Sequence, residues 1–199
     1  ATQVSAFTVT AIGVFSTTQL AALSGTQVKG LTATQIGALR SDQFIFNAAQ
    51  LTVLNGTQLA ALTTSDIEAL TLTQLAALSS AQISALETTD VQALTATSVA
   101  ALSTTQLKGF TATQIKALTT TQVGSLRSTQ LGALSQTQLG AIETTDIAEL
   151  NTTQLSGLGA GQIKGLTSSQ MGALSATQIE ALTASQIAGL SAVQIGALT

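Results

Sequence analysis

The chain is 199 residues long, with 8% charged residues, a formal net charge of −3 and a mean hydropathy of +0.44. Its lack of Cys and His excludes disulfides, thiolate metal centres and imidazole acid–base chemistry, and its acidic balance excludes the basic stripe that a nucleic-acid partner needs. Although the hydropathy is high, no run of about 18 apolar residues escapes interruption by Thr, Ser or Gln, so no membrane span is expected.

Read from its start, the chain repeats one pattern, plainest in Leu31-Thr32-Ala33-Thr34-Gln35-Ile36-Gly37-Ala38-Leu39, in which the closing leucine opens the next unit eight residues on. The glutamine frame runs Gln3, Ala11, Gln19, Gln27, Gln35, Gln43, resumes one residue early at Gln50 and then holds to Gln194. Of its twenty-five positions, twenty are Gln and three are Asp (Asp66, Asp90 and Asp146). Residues 1–199 therefore read as a single array of about 25 octads with a one-residue register slip at 43–50. An internal repeat of this kind overrides the domain count that length alone suggests.

Within one unit, Thr32 followed three residues later by Gln35 is the signature of a capping box. The hydroxyl accepts from the backbone N–H of Gln35, and the amide oxygen accepts from the N–H of Thr32. Leu31 before the cap and Ile36 after the glutamine are placed to close a hydrophobic staple. Other units put Ser24, Asn55, Asn151 or Gly159 at the cap, all types that favour or tolerate it. Where the position is Arg40, Glu87, Arg127 or Glu143, the next residue is Ser41, Thr88, Ser128 or Thr144, which allows the cap to slide by one.

An eight-residue period rules out one continuous helix, because its apolar stripe would drift by roughly 80° per unit. Supercoiling absorbs repeats near 3.5 to about 3.67 residues per turn, and an octad would demand about 4.0. The helix must break once per unit. The expected fold is an all-α solenoid of very short capped helices, with two or three octads per turn. A β-solenoid is the alternative, since Thr, Ile and Val favour strands, while the recurring Ala-Leu and Gln favour helix.

The position after each glutamine is apolar from Val4 and Ile12 to Ile195, and a leucine row runs from Leu23 to Leu198 with Phe7, Phe15, Phe110 and Ile142 as substitutes. These rows are the expected core. The Ala/Gly row between them (Ala22, Gly30, Ala38, Gly109, Gly157, Gly165) would let neighbouring helices approach closely. The position two after the glutamine (Lys29, Glu68, Gln92, Lys108, Lys116, Lys164, Glu180) is expected in solvent. At the slip, Phe44 and Phe46 read as fillers of the shortened unit, or else as a kink or lateral docking patch. Further along, the segment from Glu87 to Asp90 echoes that from Glu143 to Asp146, as if a block had been duplicated.

The chemistry available is carboxylates, hydroxyls, amides and a few lysines. Glu143, Asp146 and Glu149 are the densest acidic group, followed by Asp66 with Glu68. A two-carboxylate hydrolase needs its acids fixed across a cleft, which a uniform repeat does not provide. Calcium at Glu143 and Asp146 lacks the loop spacing and glycine of an EF-hand. The three Asp in the glutamine frame are read instead as capping acceptors at the positive end of a helix dipole. No catalytic, cofactor-binding or metal site, no cofactor and no small-molecule substrate are expected. The alternating threonines, such as Thr32/Thr34 and Thr111/Thr113, resemble the hydroxyl arrays of ice-binding solenoids in pattern, although capping explains the first of each pair.

The unit resembles the short Thr-Gln-(Ile/Leu)-x-Ala-Leu repeats of long, low-complexity secreted or surface proteins of Gram-negative bacteria. The resemblance implies an extracellular, non-catalytic structural role and carries no site residues. A surface that is polar but nearly uncharged favours association with other copies. The chain starts at Ala1 inside a unit and stops at Thr199, so the expectation is either a segment of a longer array or open ends that stack head to tail into a fibre. A spacer stalk of a large adhesin and an ice-binding surface are the alternatives.

Overall fold

A computed structural model describes residues 2–40, 43 and 45–198, with side chains from Val4 onward. Among these residues there are twenty-four α-helices, from α1 (Thr2–Ser5) to α24 (Ala192–Gly196), and no strand. The fold is an all-α, short-helix solenoid. Each helix is four to six residues long, as in α5 (Ala33–Gly37) and α9 (Leu72–Ala77). Helices this short are far below the length that survives alone in water, so packing must hold them.

Each helix starts and stops by local means. The cap residue is extended, as at Thr32 (φ −78°, ψ 157°), and its hydroxyl takes the N–H of the third helical residue. The helix ends when the leucine N–H turns back to the carbonyl three residues earlier, as from Leu39 to Ile36 at 3.0 Å. No described residue, glycine included, has positive φ. The reversal therefore needs no left-handed residue, which explains why no glycine is fixed in the octad.

The caps do not slide. Glu87, Arg127 and Glu143 remain the N-cap residues without a side-chain bond to their helices. At the first two, the frame residue still accepts the cap N–H: Glu87 N–H to Asp90 Oδ2 at 3.0 Å and Arg127 N–H to Gln130 Oε1 at 2.7 Å. Shifting the cap would turn the buried rows outward, so register wins over one capping bond. Ser41 lies outside the described residues.

The helices gather into two units, Ala1–Leu94 and Thr95–Thr199. In the first, α8 (Thr64–Glu68) packs on α11 (Thr88–Ala93), and α2 (Val9–Gly13) on α5. In the second, α14 (Ala112–Lys116) packs on α17 (Gln136–Ala141), and α16 (Ser128–Leu131) on α19 (Thr152–Ser156). Each of these partners is three octads away. Most of both aliphatic rows lies inside: Ile36, Leu51, Leu59 and Leu54 in the first unit, and Leu131, Ile147, Leu134 and Leu150 in the second, are all buried, whereas Phe7, Ile187 and Ile195, expected in the core, are exposed. The lysines and glutamates two after the frame are exposed, as expected.

Phe46 is wholly buried and stands one residue early in the leucine row. The octad has thus lost one of the two residues between its aliphatic positions, and an aromatic ring fills the row, as the filler reading requires. Phe44 lies outside the described residues.

The small row is small because backbone passes beside it. A Cβ on Gly165 would lie 2.5 Å from Cα of Gln136, the first residue of α17, and one on Gly189 would lie 2.5 Å from the carbonyl of Ala160. Gly157 meets Ser128 in the same way. Gly124, on the solvent row, has nothing within 4 Å. Gly165→Ala should therefore cost about 1–3 kcal/mol through overpacking. Gly124→Ala should gain about 0.5–1 kcal/mol through helix propensity and unfolded-state entropy. Urea midpoints of the two variants check both signs.

Candidate functional site

The polar centre of the fold is the glutamine side chain. In unit after unit it is buried: Gln50, Gln58, Gln130, Gln138, Gln170 and Gln186 are each at most 5% exposed. Its oxygen does what the capping box requires, as where Thr32 N–H donates to Gln35 Oε1 at 2.8 Å and Gln35 N–H to Thr32 Oγ1 at 3.1 Å.

Its nitrogen does something the sequence reading missed. Gln138 Nε2 donates to the carbonyls of Leu107 at 2.9 Å and Phe110 at 2.8 Å. Gln170 reaches Leu139 and Ile142, Gln186 reaches Leu155 and Leu158, and Gln194 reaches Ile163 and Leu166. The acceptors lie 31 and 28 residues back, at the C-terminal end of the octad four units earlier. The further carbonyl already takes the leucine-row N–H of its own octad, as Leu107 takes Phe110 N–H at 3.1 Å, and the amide adds a second bond there at the helix end. One amide thus caps the start of its own helix and closes the end of another. Gln162 does the same toward Gly132.

Helix bodies meet three octads away and the amide reaches four, so a turn closes between the third and fourth unit. The helix stacking lies at the upper end of the expected two or three octads per turn. Three small helices suffice to enclose the two aliphatic rows, but the amide must also reach a free helix end, and that end lies one unit further back.

The register slip does not break this pattern. Before it, Gln35 donates to Val4 and Phe7, and Gln43 to Gly13 and Phe15. Across it, the offset shrinks by one, so Gln50 reaches Leu20 and Leu23, and Gln58 reaches Val28 and Leu31. Gln74 then finds the carbonyl of Phe46 at 2.7 Å, 28 residues back. Gln19 and Gln27 cap their helices and donate to no such carbonyl among the described residues.

Aspartate keeps half of the function. Asp66 Oδ2 accepts from Thr63 N–H at 2.9 Å and Asp90 Oδ2 from Glu87 N–H at 3.0 Å, as capping acceptors should. Asp146 departs from that expectation: its Oδ1 accepts from the hydroxyl of Thr120 at 2.7 Å, on α15 (Thr120–Gly124), while no bond joins it to Glu143 N–H. A hydroxyl donor from a neighbouring helix meets that carboxylate instead. Burial pushes the Asp90 carboxyl above its ordinary 3.8, the backbone N–H of Glu87 pulls the other way, and the Glu87 charge adds to the rise.

The acidic groups singled out from sequence do not converge. Asp146 faces inward, Glu149 is exposed, and Glu143 points to Lys116 at 3.6 Å in a solvent-exposed pair. Asp66 is buried and Glu68 exposed. Among the described residues no group of three acids gathers as metal ligands would. A hollow in the second unit, lined by Leu126, Arg127, Asn151 and Gln154, is a shallow surface feature. The first hydroxyls of the threonine pairs, such as Thr32 and Thr111, are turned to backbone N–H groups. No described helix is long and apolar enough to cross a membrane.

Short capped helices joined by an amide clamp at an eight-residue period define a repeat array with no convergent reactive centre among the described residues. The chain belongs to the ALTTAQ repeat family, whose repeat matches residues 12–45, 64–96, 83–120, 99–128 and 139–176, together more than half its length. No curated protein matches it.

Two substitutions test the clamp. Gln138→Glu keeps the capping acceptor but removes both donors and sets a carboxylate against two carbonyls, so it should destabilise the fold by about 2–4 kcal/mol at neutral pH. Asp90→Gln should do the reverse. Because the Asp90 carboxyl is raised in the folded chain, its contribution to stability is fully present below 3.8 and is lost as pH rises through the folded value. The gain in urea midpoint from Asp90→Gln should therefore grow with pH across that window and then level off.

Proposed function

We propose that this is a non-catalytic structural repeat protein of the cell exterior, whose copies join end to end through the clamp that joins its own octads. The observation that carries this reading is the pairwise nature of the glutamine contact. It needs only the carbonyls of another octad, whether those come from the same polypeptide or from a second copy.

Several features of this chain support it. Few charges oppose association. The unbroken octad frame from Gln50 to Gln194 supports a single array over residues 1–199. The resemblance to secreted and surface repeat proteins supports the exterior location. A spacer stalk of a larger adhesin would use the same construction without joining copies.

Electron microscopy and sedimentation velocity of the purified chain separate these readings. End-to-end joining predicts filaments that lengthen with protein concentration and are lost in Ile195→Glu. Uniform monomers at every concentration would leave only the stalk.

A further inference from the structure

Two pairs of exposed charges in this chain share one spacing and carry opposite sign. Glu68 and Glu87 lie nineteen residues apart, as do Lys108 and Arg127, and each acid stands forty residues, or five octads, before its basic counterpart. Glu68 and Lys108 are both two after the frame residue, and Glu87 and Arg127 are both N-cap residues. Stacking brings the members of each pair onto neighbouring helices. Glu68 ends α8, which packs on α11, the helix that Glu87 opens. Lys108 ends α13 (Thr104–Lys108), which packs on α16, the helix that Arg127 opens. All four side chains are exposed.

Their own helices do not account for these charges. Glu87 and Arg127 make no side-chain capping bond. Arg127 sets a cation at the positive end of a helix dipole, and Glu68 sets an anion at the negative end of another. None of the four has an ion-pair partner among the described residues, whereas the exposed Lys116 and Glu143 meet at 3.6 Å. Both cations border hollows in the surface, Arg127 beside Asn151 and Thr153 and Lys108 beside Ser135 and Thr137. Residues that break local rules in this way mark a demand from outside the helix.

We propose that the chain binds a second copy of itself side by side, with the Glu68–Glu87 pair of one copy facing the Lys108–Arg127 pair of the other. The equal spacing lets both ion pairs form at once, so the charges fix the register between copies. Exposed ion pairs are individually weak, and their complementarity acts chiefly on encounter and register. The contact uses no terminal octad, so it stands whether or not copies also join end to end.

Sedimentation velocity of Ile195→Glu, in which end-to-end joining is removed, tests the contact separately from that joining. At about 20 mM salt this parent should associate, and at about 0.5 M salt, where surface charges are screened, its association constant should fall about tenfold or more. Adding Glu68→Lys with Glu87→Lys, or Lys108→Glu with Arg127→Glu, should leave each variant monomeric at low salt, and an equimolar mixture of the two should associate again. Arg127→Ser restores an ordinary cap, so it should raise the urea midpoint while weakening association, which separates the contact from folding. A parent that is monomeric at low salt, association that is indifferent to salt, or a mixture that stays monomeric would overturn the proposal.

Discussion

A primary amide carries one acceptor and two donors on a rigid plane, and the octad depends on using both ends at once. The oxygen closes the start of a six-residue helix, and the nitrogen closes the end of another helix four octads back. Neither helix would be stable alone, and each lends the other the groups its own terminus lacks. Each such bond contributes about 1 kcal/mol net, but leaving a buried carbonyl unmatched costs more. The clamp therefore acts chiefly by removing a penalty that would otherwise recur once per unit.

The same logic explains what the frame admits. Glutamate would serve a capping box as well as glutamine, yet it appears nowhere among the twenty-five frame positions. A carboxylate has no proton to give the carbonyls opposite. Aspartate is admitted at three positions, and the structure shows a different local consequence at each: a raised titration at Asp90, a borrowed hydroxyl at Asp146 and an unmatched oxygen at Asp66. Ser98 forms its cap with Thr95 but is too short to reach beyond it. The small row imposes the second constraint, because helix bodies that approach backbone to backbone leave no space for a side chain at Gly157 or Gly165.

Much of this was legible in the sequence. The Thr32–Gln35 spacing predicts the capping box, the drift of an octad stripe predicts a break in every unit, and the aliphatic rows predict the core down to Phe46. The donor side of Gln138 was not legible, because its partners Leu107 and Phe110 are carbonyls, and a backbone acceptor leaves no mark on side-chain identity. The one available signal was the exclusion of glutamate from the frame. Turn length was hidden for the same reason, since the clamp sets it. The caps at Glu87 and Arg127 stay in register because burial of the rows outweighs one side-chain bond, a balance that local spacing does not display.

Hydrogen exchange of the glutamine side-chain amides, followed by NMR on protein labelled with nitrogen-15 at glutamine, tests the clamp most directly. The amide protons of Gln138, Gln170 and Gln186 should exchange slowly, protected by the same global unfolding that limits the core backbone, while those of Gln19 and Gln27 should exchange as in a free side chain. Rapid exchange at all of these positions, in a chain whose backbone amides remain protected, would contradict the account.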